Sequence, residues 1–329
     1  MNELTRKRCE QLIDNRDKVK SVFAWDGGLI QLCCAGIYSE KGKNVDVAEL
    51  KRSKELLKEK VGIFSNFRGT ARSPIASMLA VSGNPEGTLD KGLKVYELLK
   101  KEFWSSSYLP LAAMVLARMA EPYQYKQIAV RTREIYNRMK AEHPFLTSGE
   151  DSALCALMAL SEKTDDELIE DIESCYQILK GNFLTANSVQ SLSHVLALYE
   201  GTAQEKCDRT MALFYKLKES GRKYGTEYEL PTLGVLAMTG ADLDEVVLEM
   251  AQIDDWLSGQ KGFGLFGSVT RKQRLMYAGI LAEKDYIEDS TLQTAAVNGT
   301  IAVIIAQEAA MCAAIAASSA AAANNGSSN

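Results

Sequence analysis

TSGEDSALCALMALSEKTDDELIEDIESCYQILKGNF, from Thr147 to Phe183, carries the clearest structural signal in the chain. It opens on a polar turn and runs apolar from Ala153 to Leu160. It turns again through Glu162 to Asp165, then closes on an amphipathic run ending Tyr176-Gln-Ile-Leu179 and a Phe. Apolar residues three and four apart mark the helical period, so the stretch reads as two helices joined by a short turn.

The same unit recurs on both sides. A Leu, Met or Cys followed by Ala in the first helix gives Ala35, Ala80, Ala117, Ala159, Ala197, Ala237 and Ala282. An apolar residue near the end of the second helix gives Leu57, Leu99, Met139, Leu179, Leu217 and Leu257. Tyr96, Tyr136, Tyr176 and Phe214 stand three residues before the second marker. Both markers keep a step of about 40 residues, the signature of helical hairpins that stack because neither helix can bury its apolar face alone.

The punctuation keeps the same period. Thr164, Thr202 and Asp242 each precede a Glu by three residues, the pattern of a helix start. Gly87, Gly201 and Gly240 read as turn residues before the second helices, and Pro85, Pro122 and Pro144 fall between periodic stretches. At the start, residues 3–20 read as a charged helix with Leu4, Leu12, Ile13 and Val19 inward. Aromatic residues after the second helices, among them Phe67, Phe103, Phe145, Phe183, Tyr224 and Phe263, read as plugs over the turns.

These signals predict an all-α protein of tandem helical hairpins, an α/α superhelix or toroid. First helices are rich in small apolar residues and read as the inner layer, while second helices carry most of the Lys and Glu. Residues 1–290 form one helical-repeat domain of about seven hairpins in this reading. Residues 291–323 are an Ala-rich closing helix, and 324–329 a disordered tail. Gln307 and Glu308 interrupt the apolar run of the closing segment before it reaches the roughly 20 residues a bilayer span needs.

Composition narrows the function classes. A formal net charge of -5 over 329 residues, without a basic stripe, speaks against nucleic-acid binding. The N-terminus is charged and lacks the apolar core of a signal peptide. Seven scattered cysteines read as free thiols in a cytoplasmic protein. Two histidines and the lack of a close Cys-x-x-Cys pair argue against a structural zinc site, and no phosphate or dinucleotide loop is present, so no metal and no cofactor are expected.

Candidate functional residues lie in the polar turns before the first helices, which a repeat array places on one rim. Asp26, Glu150 and Glu227 are the candidate catalytic carboxylates, suited to acid–base work. Trp25, Arg68, Arg72 and Asn187 are the candidate ligand-binding residues, the two arginines being able to clamp an anion. The competing reading of each is ordinary helix capping and solvation. His143 reads as exposed. His194 and Cys155 lie on successive first helices and read as a hydrogen-bonded core His and a packed thiol, with a Cys–His nucleophile pair as the sharper alternative.

With Trp25-Asp26 after the first helix, the Asn66-Phe67-Arg68 turn and the hairpins that follow, the chain to about residue 290 resembles a family met mainly in Bacillus and its relatives, catalogued as domain of unknown function 4003. The resemblance implies a bacterial, cytoplasmic protein and carries over no reaction and no site residues. Three functions compete. One is a binding or scaffold protein presenting a peptide, protein or small-molecule ligand along the rim. Another is an α/α-toroid enzyme acting on a saccharide or small metabolite with rim carboxylates and arginines. The last is a self-associating structural protein.

Overall fold

The repeat signals become helices at the expected places. The computed structural model describes residues 1–63, 65–69, 71–103, 108–224, 229–264 and 267–287, with Glu40, Glu150 and 283–287 described by their backbone alone. The segments 291–323 and 324–329 and the residue Glu227 lie outside these. Among the described residues there are fourteen α-helices and no strand.

After α1 (Glu3–Val22), helices alternate in kind. The first helices are α2 (Gly28–Glu40), α4 (Arg72–Val81), α6 (Leu109–Met119), α8 (Ser152–Met158), α10 (Ala186–Leu196), α12 (Leu230–Ala237) and α14 (Arg271–Ile287). The second helices are α3 (Val47–Lys60), α5 (Pro85–Glu102), α7 (Tyr125–Glu142), α9 (Asp165–Leu179), α11 (Ala203–Glu219) and α13 (Leu243–Ser258).

Packing divides the chain into two units. One comprises Glu10–Asn137 and Ser148–Leu160. In it α2 packs on α4, α4 on α6 and α6 on α8, while α3 and α5 pair as neighbours on the other layer. The second unit comprises Met1–Cys9, Arg138–Thr147 and the chain from Ser161 on. There α10 packs on α12 and α12 on α14, and α9, α11 and α13 form the second row. Within each unit the arrangement is that of stacked α/α hairpins.

Burial follows the two kinds of helix. Every residue of α8 and of α12 is buried, as are nine consecutive residues of α6. A helix apolar all round must be covered on every side. The second helices bury one stripe. All six second-helix markers, Leu57, Leu99, Met139, Leu179, Leu217 and Leu257, are buried. Of the Ala markers Ala35, Ala117, Ala159, Ala197, Ala237 and Ala282 are buried, and Ala80 is half-buried. Small residues let first helices approach closely. A Cβ on Gly234 of α12 would sit 2.5 Å from the Leu192 Cδ1 atom of α10, inside any tolerable contact.

The caps form as read, with two refinements. Thr164 and Thr202 make complete capping boxes with Glu167 and Glu205. Asp242 accepts from the Asp244 and Glu245 amides, so a single side chain caps α13. Gly201 and Gly240 occupy their turns at φ +103 and +78. Gly87 instead lies inside α5, where it donates its amide to the Asn84 side chain. A Cβ there would meet that cap at 2.6 Å, and Gly83, at φ +76, makes the turn.

Leu4 is 54% exposed, contrary to its inward assignment. The buried stripe of α1 runs through Thr5, Cys9, Leu12, Asn15, Arg16 and Val19. Polar residues hold it down. In the first unit Asn15 donates to Ser39 Oγ and the Lys43 carbonyl and accepts from the Val45 amide, fixing the α2–α3 turn. In the second unit Thr5 donates to Glu249 at 3.1 Å.

The aromatic plugs are real, with one substitution. Phe67 meets Tyr96, Phe103 meets Tyr136 and Phe183 meets Phe214 edge to face, at centroid distances of 5.0, 5.3 and 5.1 Å. Phe145 is not a plug: it is 98% exposed. His143 takes its place, 4.4 Å from the Tyr176 ring, four residues after Met139 as Phe103 follows Leu99 and Phe183 follows Leu179.

Candidate functional site

Within the first unit, the loop from α1 into α2 sets the best-defined polar cluster. The Asp26 amide donates to the Phe23 carbonyl, and Gln31 Nε2 donates to the carbonyls of both Phe23 and Asp26. The Asp26 carboxylate therefore faces the start of α4. There it accepts from Ser73 Oγ and, at 3.4 Å, from Arg72 Nη2. A carboxylate at a helix N-terminus meets the positive end of the dipole. The Arg72 guanidinium also lies 5.6 Å from the Phe23 ring centroid. Trp25, beside this cluster, is 99% exposed.

Arg68 turns away from Arg72. Its Nη2 donates to the Lys58 carbonyl and, at 3.0 Å, to that of Val61. These are orphan carbonyls at the end of α3, and the fork closes them as a C-terminal cap. The two arginines thus serve different helix ends instead of flanking one anion. Glu150 lies in a 3₁₀ turn, Gly149–Asp151. In the same turn Asp151 accepts from the Ser148 amide at 2.8 Å. Glu227 lies outside the described residues. Asn187, in the second unit, is exposed in the first turn of α10.

The histidines differ from their sequence reading. His143 is largely covered, with 14% of its side chain exposed, and its Nε2 lies 2.7 Å from Glu173 Oε2. His194 is buried, and neither ring nitrogen has a hydrogen-bond partner. Burial pushes its pKa down to about 3, with His143 adding a smaller push the same way. It is therefore a neutral core imidazole, but not a hydrogen-bonded one. Cys155 belongs to the other unit, and burial raises its thiol well above the ordinary range, the opposite of what a nucleophile needs.

The second unit also holds a cluster that sequence reasoning missed. A groove of about 530 Å³ opens between the first turns of α9 and α11. Glu162, Glu170 and Glu200 rim it. Lys163 Nζ donates to the carbonyls of Ala197 and Tyr199 and lies 3.2 Å from Asp171 Oδ2. Lys206, buried, donates to the same carboxylate oxygen and to Tyr199. A lysine on an amphipathic helix reads as solvated, so Lys206 left no trace in the apolar pattern. Nearby, the buried Cys207 thiol donates to the Cys175 carbonyl at 3.8 Å, and the Cys175 thiol to Asp171 Oδ1 at 3.7 Å.

Large apolar side chains stand exposed in the turns before four of the first helices. In the first unit these are Trp25, before α2, and Ile63, before α4, which is 76% exposed. In the second they are Phe145, before α8, and Leu184, before α10, which is 96% exposed. The last two flank one end of α10, because Gln190 of that helix donates to Thr147 Oγ1 at 2.9 Å. Among the described residues no group of three His, Cys, Asp or Glu stands ready to hold a metal ion, and no helix is long and apolar enough to cross a membrane.

Stacked hairpins with a buried layer of first helices define an α/α helical-repeat protein. Within that class the chain belongs to the family described as "Protein of unknown function (DUF4003)", whose model matches residues 15–310. It is similar to the protein printed as "Uncharacterized protein YeaA" of Bacillus subtilis (strain 168), at 26% identity over 317 residues, covering 94% of this chain and 93% of that one. No solved structure matches it.

Proposed function

We propose that the protein is a binding or scaffold protein whose inter-repeat turns dock a peptide or protein segment rich in apolar side chains. The supporting observation is that large apolar residues, 76–99% exposed, stand in the turns before four of the first helices: Trp25 and Ile63 in one unit, Phe145 and Leu184 in the other. Single exposed apolar residues are ordinary on protein surfaces. Their repetition at one place in the hairpin is what an extended docking rim requires. The polar turn residues supply the surrounding hydrogen-bonding groups.

The toroid-enzyme reading finds less support. Asp26, one of the candidate catalytic carboxylates, is engaged by Arg72 and Ser73, an arrangement that fastens a loop to a helix start. Arg68 is likewise engaged by carbonyls.

A peptide library displayed on phage tests the docking reading. Peptides selected on the full-length protein are expected to be rich in aromatic and aliphatic residues. They should bind the Phe145→Ser/Leu184→Ser or Trp25→Ser/Ile63→Ser protein at least about tenfold more weakly, a loss of roughly 1.4 kcal/mol. Selected peptides that bind both double variants as tightly as the parent would overturn it.

A further inference from the structure

Beside Trp25, one of the exposed turn residues of the first unit, stands a guanidinium with most of its donors unspent. Trp25 precedes Asp26 in the chain and is 99% exposed. Among the described residues, Arg72 makes one hydrogen bond, from Nη2 to the Asp26 carboxylate at 3.4 Å. Its Nε is buried without a partner, while 37% of the side chain meets solvent. An incoming acceptor must therefore come to the Nη end of the fork, where N–H donors remain open. Arg68 differs: its Nη2 is taken by the two carbonyls that it caps.

Charge at this turn is not balanced from within. Lys54 Nζ and Arg72 Cζ lie 5.0 and 5.6 Å from the Phe23 ring centroid, so two cations share one aromatic ring. Lys54 also donates to a neutral acceptor, the Val22 carbonyl, at 3.1 Å. Asp26 is the carboxylate paired with Arg72, and Ser73 Oγ draws on it too. Glu55, next to Lys54 in sequence, is held by Lys58 at 2.8 Å. The turn keeps an excess of positive charge beside an exposed indole. At Phe145 in the second unit the nearby cation is spent, because Lys140 Nζ donates to the carbonyls of Pro144 and Thr147.

We infer that Arg72 selects an acidic residue in the segment docked on the first unit, one whose carboxylate stands next to the apolar side chain covering Trp25. The inference rests on the docking reading and narrows it, for this unit, to peptides that combine an aromatic or aliphatic side chain with Asp or Glu. The carboxylate takes the open Nη end of the fork, a geometry that a guanidinium matches better than an ammonium. Asp26 stays in place and steadies the guanidinium from the other side. As the docked segment covers the indole it also removes water from the new ion pair, which strengthens it.

The phage peptide library, panned on the full-length Phe145→Ser/Leu184→Ser protein so that the turns of the first unit are selected, tests this. Enriched peptides should carry Asp or Glu beside an apolar residue. One of them is then synthesised twice, with its acid and with the matching amide, and titrated by fluorescence anisotropy. The amide version should bind the parent protein about fivefold more weakly, the upper end for an ion pair partly in water. Arg72→Gln should weaken the acidic peptide by a similar factor and bind the two versions alike. Loss of both versions in equal proportion would make Arg72 a support of the loop alone and overturn the inference. Enriched peptides that need Trp25 and Ile63 but carry no acid would overturn it too, and leave the docking reading standing. Panning that enriches nothing dependent on Trp25 and Ile63 would overturn docking at the first unit and the inference together.

Discussion

Individual side chains carry two sharp energetic consequences. Asp254, buried on α13, receives Arg274 Nε at 2.6 Å and faces Arg222 Nε at 3.6 Å. Removing one partner of a buried charge cluster leaves the others unpaired, so Asp254→Ala should lose about 3–5 kcal/mol in urea unfolding. His194 makes stability depend on pH. Its folded pKa, about 3, lies below the ordinary value of 6.5, so the unfolded chain binds the extra proton first. The stability it permits is whole above pH 6.5 and drains as pH falls towards 3, at up to about 1.4 kcal/mol per unit. Urea midpoints at pH 7.5 and pH 5 should therefore differ, and His194→Leu should flatten the difference. An unchanged slope in that variant would assign the acid sensitivity elsewhere.

At the level of helices and turns, the caps and close approaches are separable. Thr202→Ala removes one half of a complete capping box and should cost about 1 kcal/mol. Gly234→Ala should cost about 1–3 kcal/mol, because Leu192 must move aside. Thermal or urea unfolding checks both. The contrast shows what the sequence could and could not reveal. Caps and the second-helix stripe are local patterns, and Thr164, Thr202 and all six second-helix markers sit as read. Gly87 was misplaced because its role depends on the Asn84 side chain folding back over it. Phe145 was misread because composition cannot distinguish a plug from a knuckle: His143, two residues earlier, keeps the spacing of Phe103 and Phe183. Arg68 and Arg72 lie close in sequence yet serve different helix ends, a fact fixed by where α3 stops. Lys206 and the Cys175–Cys207 pair depend on which faces of α9 and α11 meet, which no period encodes.

For the molecule as a whole, the repeat organisation separates what stabilises from what is available for recognition. Buried first helices and the second-helix stripe supply the core, so the exposed apolar turn residues are not needed for folding. Phe145→Ser and Leu184→Ser, singly or together, should leave the unfolding free energy measured in urea unchanged within about 0.5 kcal/mol, as expected of surface positions. Loss of binding in these variants would then report on docking and not on unfolding. The most direct measurement is amide hydrogen exchange of the full-length protein with and without a peptide selected on it. The docking account predicts slowed exchange in the turns around Phe145 and Leu184, or around Trp25 and Ile63, with the groove between α9 and α11 unaffected. Protection confined to that groove, with every one of those turns exchanging as in the free protein, would contradict it.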